Sequence, residues 1–197
     1  MMYKNKLFRW TLLGILIGMS FPAASLQGQD ITVKTNLLYD VTTTFNLGAE
    51  FRLSKHFTLD VPLNYNPWTF SDNKKLKHIM VQPELRYWLC ESFYSHFFGF
   101  HALYSHYNMG GLDLPGGVLC TLKDYRYQGD MYGMGLSWGY QWVLSRRWSL
   151  EASIGMGYIH MEHDKYECKT CGDKIGKSKH EYLGPTKVAL NLIYVIK

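Results

Sequence analysis

Eight charged residues fall where the alternation of the chain turns them away from its apolar face: Lys34, Arg52, Arg86 and Lys187 against Glu50, Asp60, Glu84 and Glu151. Equal numbers of each sign in one low-dielectric interior are expected to pair, because an unpaired buried ion costs several kcal/mol. The expected outcome is a salt-bridged plug that fixes strand register and excludes water; gating or catalysis by the same groups is the sharper alternative. A second group, His160, His163 and His180 with Glu162, Asp164, Cys168 and Cys171, offers nitrogen, oxygen and sulfur donors of the kind that hold a soft divalent metal. One CxxC with irregularly spaced histidines is a weak signature, so no metal and no cofactor are expected. A third set, His101 and His106 with Ser105 or Ser153 and Glu151, is what a lipid-modifying enzyme would need. These are polar residues picked from many, and no glycine-rich nucleotide loop, His-Glu-x-x-His helix or nucleophile elbow accompanies them. No catalytic residue is therefore assigned.

The elements that would position these groups are strands. Between residues 132 and 158 the chain reads YGMGLSWGYQWVL, SRRWS, LEASIGMGY. Steps of two place Tyr132, Met134, Leu136, Trp138, Tyr140 and Trp142 on one face, with Gly133, Gly135, Ser137, Gly139 and Gln141 on the other. Successive side chains of a strand point to opposite faces, so this is a hairpin with one apolar face and one small or polar face. The small face cannot form the core of a soluble sandwich. Apolar outside and polar within is the pattern of a transmembrane barrel.

Eight such segments are predicted, over residues 32–39, 46–53, 57–66, 78–89, 97–107, 132–144, 150–158 and 186–197. The short turns follow the second, fourth and sixth, and the longer connections follow the third, fifth and seventh, so both chain termini fall on the periplasmic side. Aromatics collect in two girdles: Tyr39, Tyr65, Trp68, Tyr104, Tyr132 and Tyr158 at the outer rim, Phe57, Tyr87, Trp142, Trp148 and Tyr194 at the inner one. Pro62 and Pro83 lie in neighbouring strands and predict a bulge or broken pairing there. Fold class is thus all-β: an eight-stranded antiparallel up-and-down transmembrane β-barrel.

Lys4, Lys6 and Arg9 precede an apolar run from Trp10 to Phe21 and then small residues, which reads as a cleaved secretory signal peptide over residues 1–29. The barrel domain is residues 30–197. Loss of those three basic residues lowers the formal charge from +5 to +2, and nothing suggests a nucleic-acid partner. A mean hydropathy of -0.19 excludes a helical membrane bundle but not a barrel. Export permits disulfides. Cys168 and Cys171 are open between a local disulfide, a metal site and two free thiols, while Cys90 and Cys120 are predicted on opposite sides of the membrane and unpaired.

Four phrases carry a resemblance: Lys34-Thr35-Asn36-Leu37-Leu38-Tyr39-Asp40, Asn46-Leu47-Gly48-Ala49-Glu50, Asn66-Pro67-Trp68-Thr69-Phe70, and Val81-Gln82-Pro83-Glu84-Leu85-Arg86-Tyr87-Trp88. They resemble the Bacteroides-type domain of unknown function 3575 family, and the resemblance implies an outer-membrane barrel, sometimes near fimbria components, with no established activity. The expectation is a non-enzymatic outer-membrane barrel with a filled lumen, in contact with outer-membrane lipid. A protein or surface partner would meet its long loops, residues 108–127 and 160–184. An outer-membrane enzyme acting on lipid or lipopolysaccharide is the alternative, and a narrow channel the third.

Overall fold

The computed structural model describes residues 31–69, 75–110, 126–166 and 174–196. The expected signal peptide, Cys120, Cys168 and Cys171 lie outside the described residues. The strands are β1 (Ile31–Asn36), β2 (Phe45–Arg52), β3 (Phe57–Asn66), β4 (Lys75–Val81), β5 (Glu84–Trp88), β6 (Ser95–Gly110), β7 (Arg126–Val143), β8 (Trp148–Tyr166) and β9 (Lys174–Val195), with one short helix, α1 (Leu37–Val41). β4 and β5 are halves of one stave, since both pair with β3 on one side and β6 on the other. Each stave is antiparallel to the next, and β1 pairs with β9 to close the sheet. The architecture is a closed, eight-stranded antiparallel barrel. No described helix is long and apolar enough to cross a membrane.

Strand alternation sorts the side chains. In β5, Glu84, Arg86 and Trp88 are buried while Leu85 and Tyr87 are exposed. Met134, Leu136, Trp138, Ile154, Met156 and Val188 are likewise exposed, and Leu136 keeps 68% of its surface open. This outward belt lies between aromatic side chains at both ends. Phe57 and Tyr87 pair at 5.2 Å, and Trp148 and Tyr194 at 5.1 Å, on the short-turn end. Tyr65, Tyr104, Tyr132 and Tyr158 are exposed toward the other end. From Trp148 to Tyr158, β8 has the length of the roughly 9–11 residues with which a tilted strand crosses hydrocarbon.

Several boundaries differ from the sequence reading. The first strand stops at Asn36, and Leu37 to Tyr39 belong to α1 instead. Asn36 caps the helix, its side-chain oxygen accepting from Leu38 N at 3.1 Å, and Asp40 ties it to β2 by accepting from Asn46 Nδ2 at 2.7 Å. An apolar-polar alternation over so few residues cannot outweigh a good cap. The segment 160–184, expected to be a loop, is mostly strand: residues 160–166 extend β8 and residues 174–184 open β9. Glu162 faces Lys179 across that ladder at 2.6 Å. Both faces are polar there, so composition imitates a loop. Of residues 108–127, Asn108 to Gly110 finish β6 and Arg126 and Tyr127 begin β7.

The stave with Pro83 is interrupted between Val81 and Glu84, as the prolines implied. Pro62 stays within β3, opposite Gly48. Gln82 N donates to Pro62 O at 3.3 Å, and Ala102 N donates to Pro83 O at 3.0 Å. A strand residue directs its N–H and C=O to the same neighbour, so Pro62 withholds a donor from the interrupted stave and Pro83 withholds one from β6.

Inward glycines leave room for large side chains on the facing staves. A Cβ at Gly139 would collide with the Phe97 ring, and one at Gly135 would come within 2.8 Å of His101 Nε2. Gly139→Val should lower stability by about 1–3 kcal/mol through overpacking. Gly176→Ala, with no atom within 4 Å of its Cβ, should be near neutral. Denaturant titration of the refolded protein followed by circular dichroism checks both.

Candidate functional site

The candidate site is the charged middle of the lumen, built on Arg86 of β5. Its position between Leu85 and Tyr87, both facing out, turns the guanidinium inward, where it is fully buried. An arginine carries five N–H donors, and here each has a carboxylate. Nε donates to Glu84 Oε1 at 2.7 Å. Nη1 donates to Glu50 Oε2 at 3.0 Å and Glu151 Oε2 at 2.7 Å. Nη2 donates to Asp60 Oδ2 at 2.8 Å and Glu151 Oε1 at 3.1 Å, so Glu151 is held by both arms. The guanidinium carbon also lies 4.3 Å over the Phe97 ring, within cation–π range.

Two lysines complete the cluster. Lys34 Nζ bonds Glu50 and lies 3.3 Å from Glu151 Oε2 and 3.4 Å from Asp60 Oδ1. Lys187 Nζ reaches Glu84 Oε2 at 2.9 Å. Gly48 makes room for Lys34, since a Cβ there would stand 2.7 Å from Lys34 Cγ. Seven of the eight charges singled out from the sequence are thus in mutual contact, three cations against four carboxylates. Arg52 lies toward the short-turn end, 5.3 Å over the Phe93 ring and 3.5 Å from the Ser92 carbonyl.

Neutral partners that the charge count passed over add donors to three of the four carboxylates. Thr58 Oγ1 donates to Glu50, Ser137 Oγ to Glu84 at 2.8 Å and Asn191 Nδ2 to Glu151 at 2.8 Å. Trp88 Nε1 in turn donates to Thr58 Oγ1 at 2.9 Å. The signal that finds them is parity: each falls on the inward alternate of its strand. Toward the short turns the lumen is packed by Trp88, Phe93 and Phe97. Toward the long hairpins a cavity of about 30 Å³ is lined by Asn36, Asn46, Asn64, Gln82 and Asn191, with room for water rather than for a substrate.

The residues of the enzyme alternative are not brought together. His101 is buried, with Nε2 2.9 Å from Thr186 Oγ1 and Nδ1 3.5 Å from Glu84. His106 faces outward, where its Nδ1 meets Asp130 Oδ1 at 2.8 Å. Ser105 is its neighbour in sequence and therefore faces the lumen. Glu151 is committed to Arg86 and Lys34.

The metal candidates divide between two faces. His160 lies outside, its ring 5.2 Å from Tyr132 and 3.5 Å from Glu162. His163 lies inside, with Nδ1 3.2 Å from Tyr107 Oη and its ring edge-on to Tyr127. His180 stands opposite Met161 on that inner face. Among the described residues no three His, Cys, Asp or Glu side chains gather as a metal set. The hydrogen bond from Lys179 holds the Glu162 carboxyl below its usual range, but an exposed pair of this kind adds little stability. Cys90 is a free, exposed thiol.

Residues 12–196 match the family model described as a protein of unknown function, DUF3575. The chain belongs to that family. No curated protein and no solved structure matches it. The lumen cluster includes residues of three of the family-like phrases, Lys34 from the first, Glu50 from the second, and Glu84 and Arg86 from the last.

Arg86→Ala should cost about 3–5 kcal/mol, because it leaves four carboxylates buried around one remaining pair of lysines. Lys187→Met should cost less, since Arg86 and Ser137 still hold Glu84. Denaturant midpoints of the two variants against the parent protein check the order, and a loss under about 1 kcal/mol for Arg86→Ala would mean a hydrated, loosely held cluster.

Proposed function

We propose that this protein is exported and acts as a closed, non-catalytic outer-membrane barrel that meets a surface partner through its long hairpins. The observation that carries the reading is the outward belt of leucine, isoleucine, methionine and tryptophan between two aromatic rims, around a core of charged and amide side chains. Exposed apolar surface running around the whole barrel exceeds what a soluble monomer shows. Closure of the sheet also leaves no strand edge unpaired around the belt, which hydrocarbon demands. The salt-bridged middle and the aromatic packing below it support a barrel that does not conduct. With the wall against lipid and the lumen filled, partner specificity falls to the parts of β6, β7, β8 and β9 that continue past the rim.

Reconstitution into vesicles containing brominated lipids should quench Trp138, which is exposed in the middle of the belt. Monomeric solubility without detergent would sink the membrane assignment. In planar bilayers the protein should give little or no current; large steady openings would favour the channel. Incubation with phospholipid and lipopolysaccharide should release no fatty acid, and release would favour the enzyme. On intact cells, an impermeant amine reagent should label Lys177 and Lys179, and their protection would place the long hairpins on the other side. Replacing residues 163–178 by Asn-Gly keeps Glu162 opposite Lys179 across a two-residue turn. That variant should fold to the same barrel, as judged by the heat-dependent gel shift, while losing the surface binding that the intact chain shows.

A further inference from the structure

Above the rim, the inner face of the sheet carries an unusual row. In the ladders Met80 faces Ser105, Ser105 faces Met131, Met131 faces Met161 and Met161 faces His180. Residues directly opposite in an antiparallel pair lie on the same side of the sheet with Cβ atoms roughly 4.5–5.5 Å apart. The side is fixed by neighbours. Tyr132, His160 and Glu162 occupy the alternate positions on the outer face, where Tyr132 meets His160 and Glu162 meets Lys179. His163, two residues beyond Met161, touches the buried Tyr107 from within. Two thioethers and an imidazole therefore stand side by side on β7, β8 and β9, facing the mouth of the barrel.

We propose that Met131, Met161 and His180 form a binding site for a soft monovalent cation of the Cu(I) class. Thioether sulfur is uncharged and polarisable and selects Cu(I) over the hard divalent ions that prefer carboxylate oxygen. Two unbranched methionine side chains have the reach and flexibility to converge on one ion from adjacent strands. A neutral imidazole supplies the third donor. The site lies on the exposed side of the plug, so an ion arriving from the mouth need not cross the salt-bridged middle. Packing alone does not account for the row, because Met131 and Met161 are only half-buried and His180 is exposed. His163 is the diagonal neighbour of His180.

The test uses the full chain refolded in detergent, with Cys90→Ser, Cys120→Ser, Cys168→Ser and Cys171→Ser removing the thiols that would also take the ion. Ag(I) serves as the redox-inert probe, read by calorimetry and by the methyl resonances of carbon-13-labelled methionine. One equivalent should shift the Met131 and Met161 methyls and leave the outward Met134 and Met156 unmoved. Met161→Leu, which conserves volume, and His180→Gln, at an exposed position that folding tolerates, should each weaken binding at least about tenfold, since loss of even an outer-shell partner of a metal commonly costs about 10–100-fold. No binding, equal shifts of all methionines, or affinity unchanged in both variants would overturn the site. The gel shift on heating confirms that each variant is folded.

Discussion

The rest of the barrel depends on a single guanidinium whose donors are all engaged. Arg86 draws Glu50 from β2, Asp60 from β3, Glu84 from its own strand and Glu151 from β8, so one side chain ties together staves distant in sequence. Arginine suits this because its planar fork offers bidentate geometry that a lysine ammonium does not. The arrangement also specifies register. A slip of one residue in any of these strands would carry a carboxylate to the apolar outer face and bring a leucine or tyrosine into the lumen. A buried network of this kind adds little net stability over a well-packed apolar core. Its value lies in excluding the wrong pairings.

The small face of β7 and β8 follows from the same constraint. Arg86, His101 and Phe97 project from one half of the wall into a lumen only wide enough for side chains to fill. The staves beside it answer with Gly135, Ser137, Gly139 and Gly155. Ladder rows make the complementarity concrete: Arg86 faces Gly99, which faces Ser137, which faces Gly155, which faces Lys187. Bulk at the two ends of the row is possible because its middle holds only two glycines and a serine.

The alternation of apolar and small residues was enough to read the barrel, its strand count and the inward sign of the charges, because a strand's period is two and the two faces see different surroundings. The break at Pro83 was legible for an equally local reason, a missing donor. The end of β1 was not, since Asn36 acts as a cap only once Asn46 and β9 stand beside it. The length of β8 and β9 was hidden because His160, Glu162, Lys179 and Glu181 make the outer face polar too once the strands pass the aromatic rim. Which seven charges would meet, and that Arg52 would sit beside Phe93 instead, depends on the stagger of strands around the closed sheet. That stagger has no signature along the chain. The Met131–Met161–His180 row was invisible for the same reason, as its members are brought together only by register.

The mouth of the barrel is uneven among the described residues. β1 gives way to α1 at Asn36 and β3 ends at Asn66, whereas β7, β8 and β9 continue well past Tyr132, Tyr158 and Leu183. A cylinder with one raised side has a front and a back. Anything approaching along its axis meets a wall of Tyr107, Met131, Met161 and His163 on one flank and the low shoulder of α1 on the other. The molecule therefore presents a heading as well as an up and a down, and neighbours can be aligned by it without touching the lumen at all.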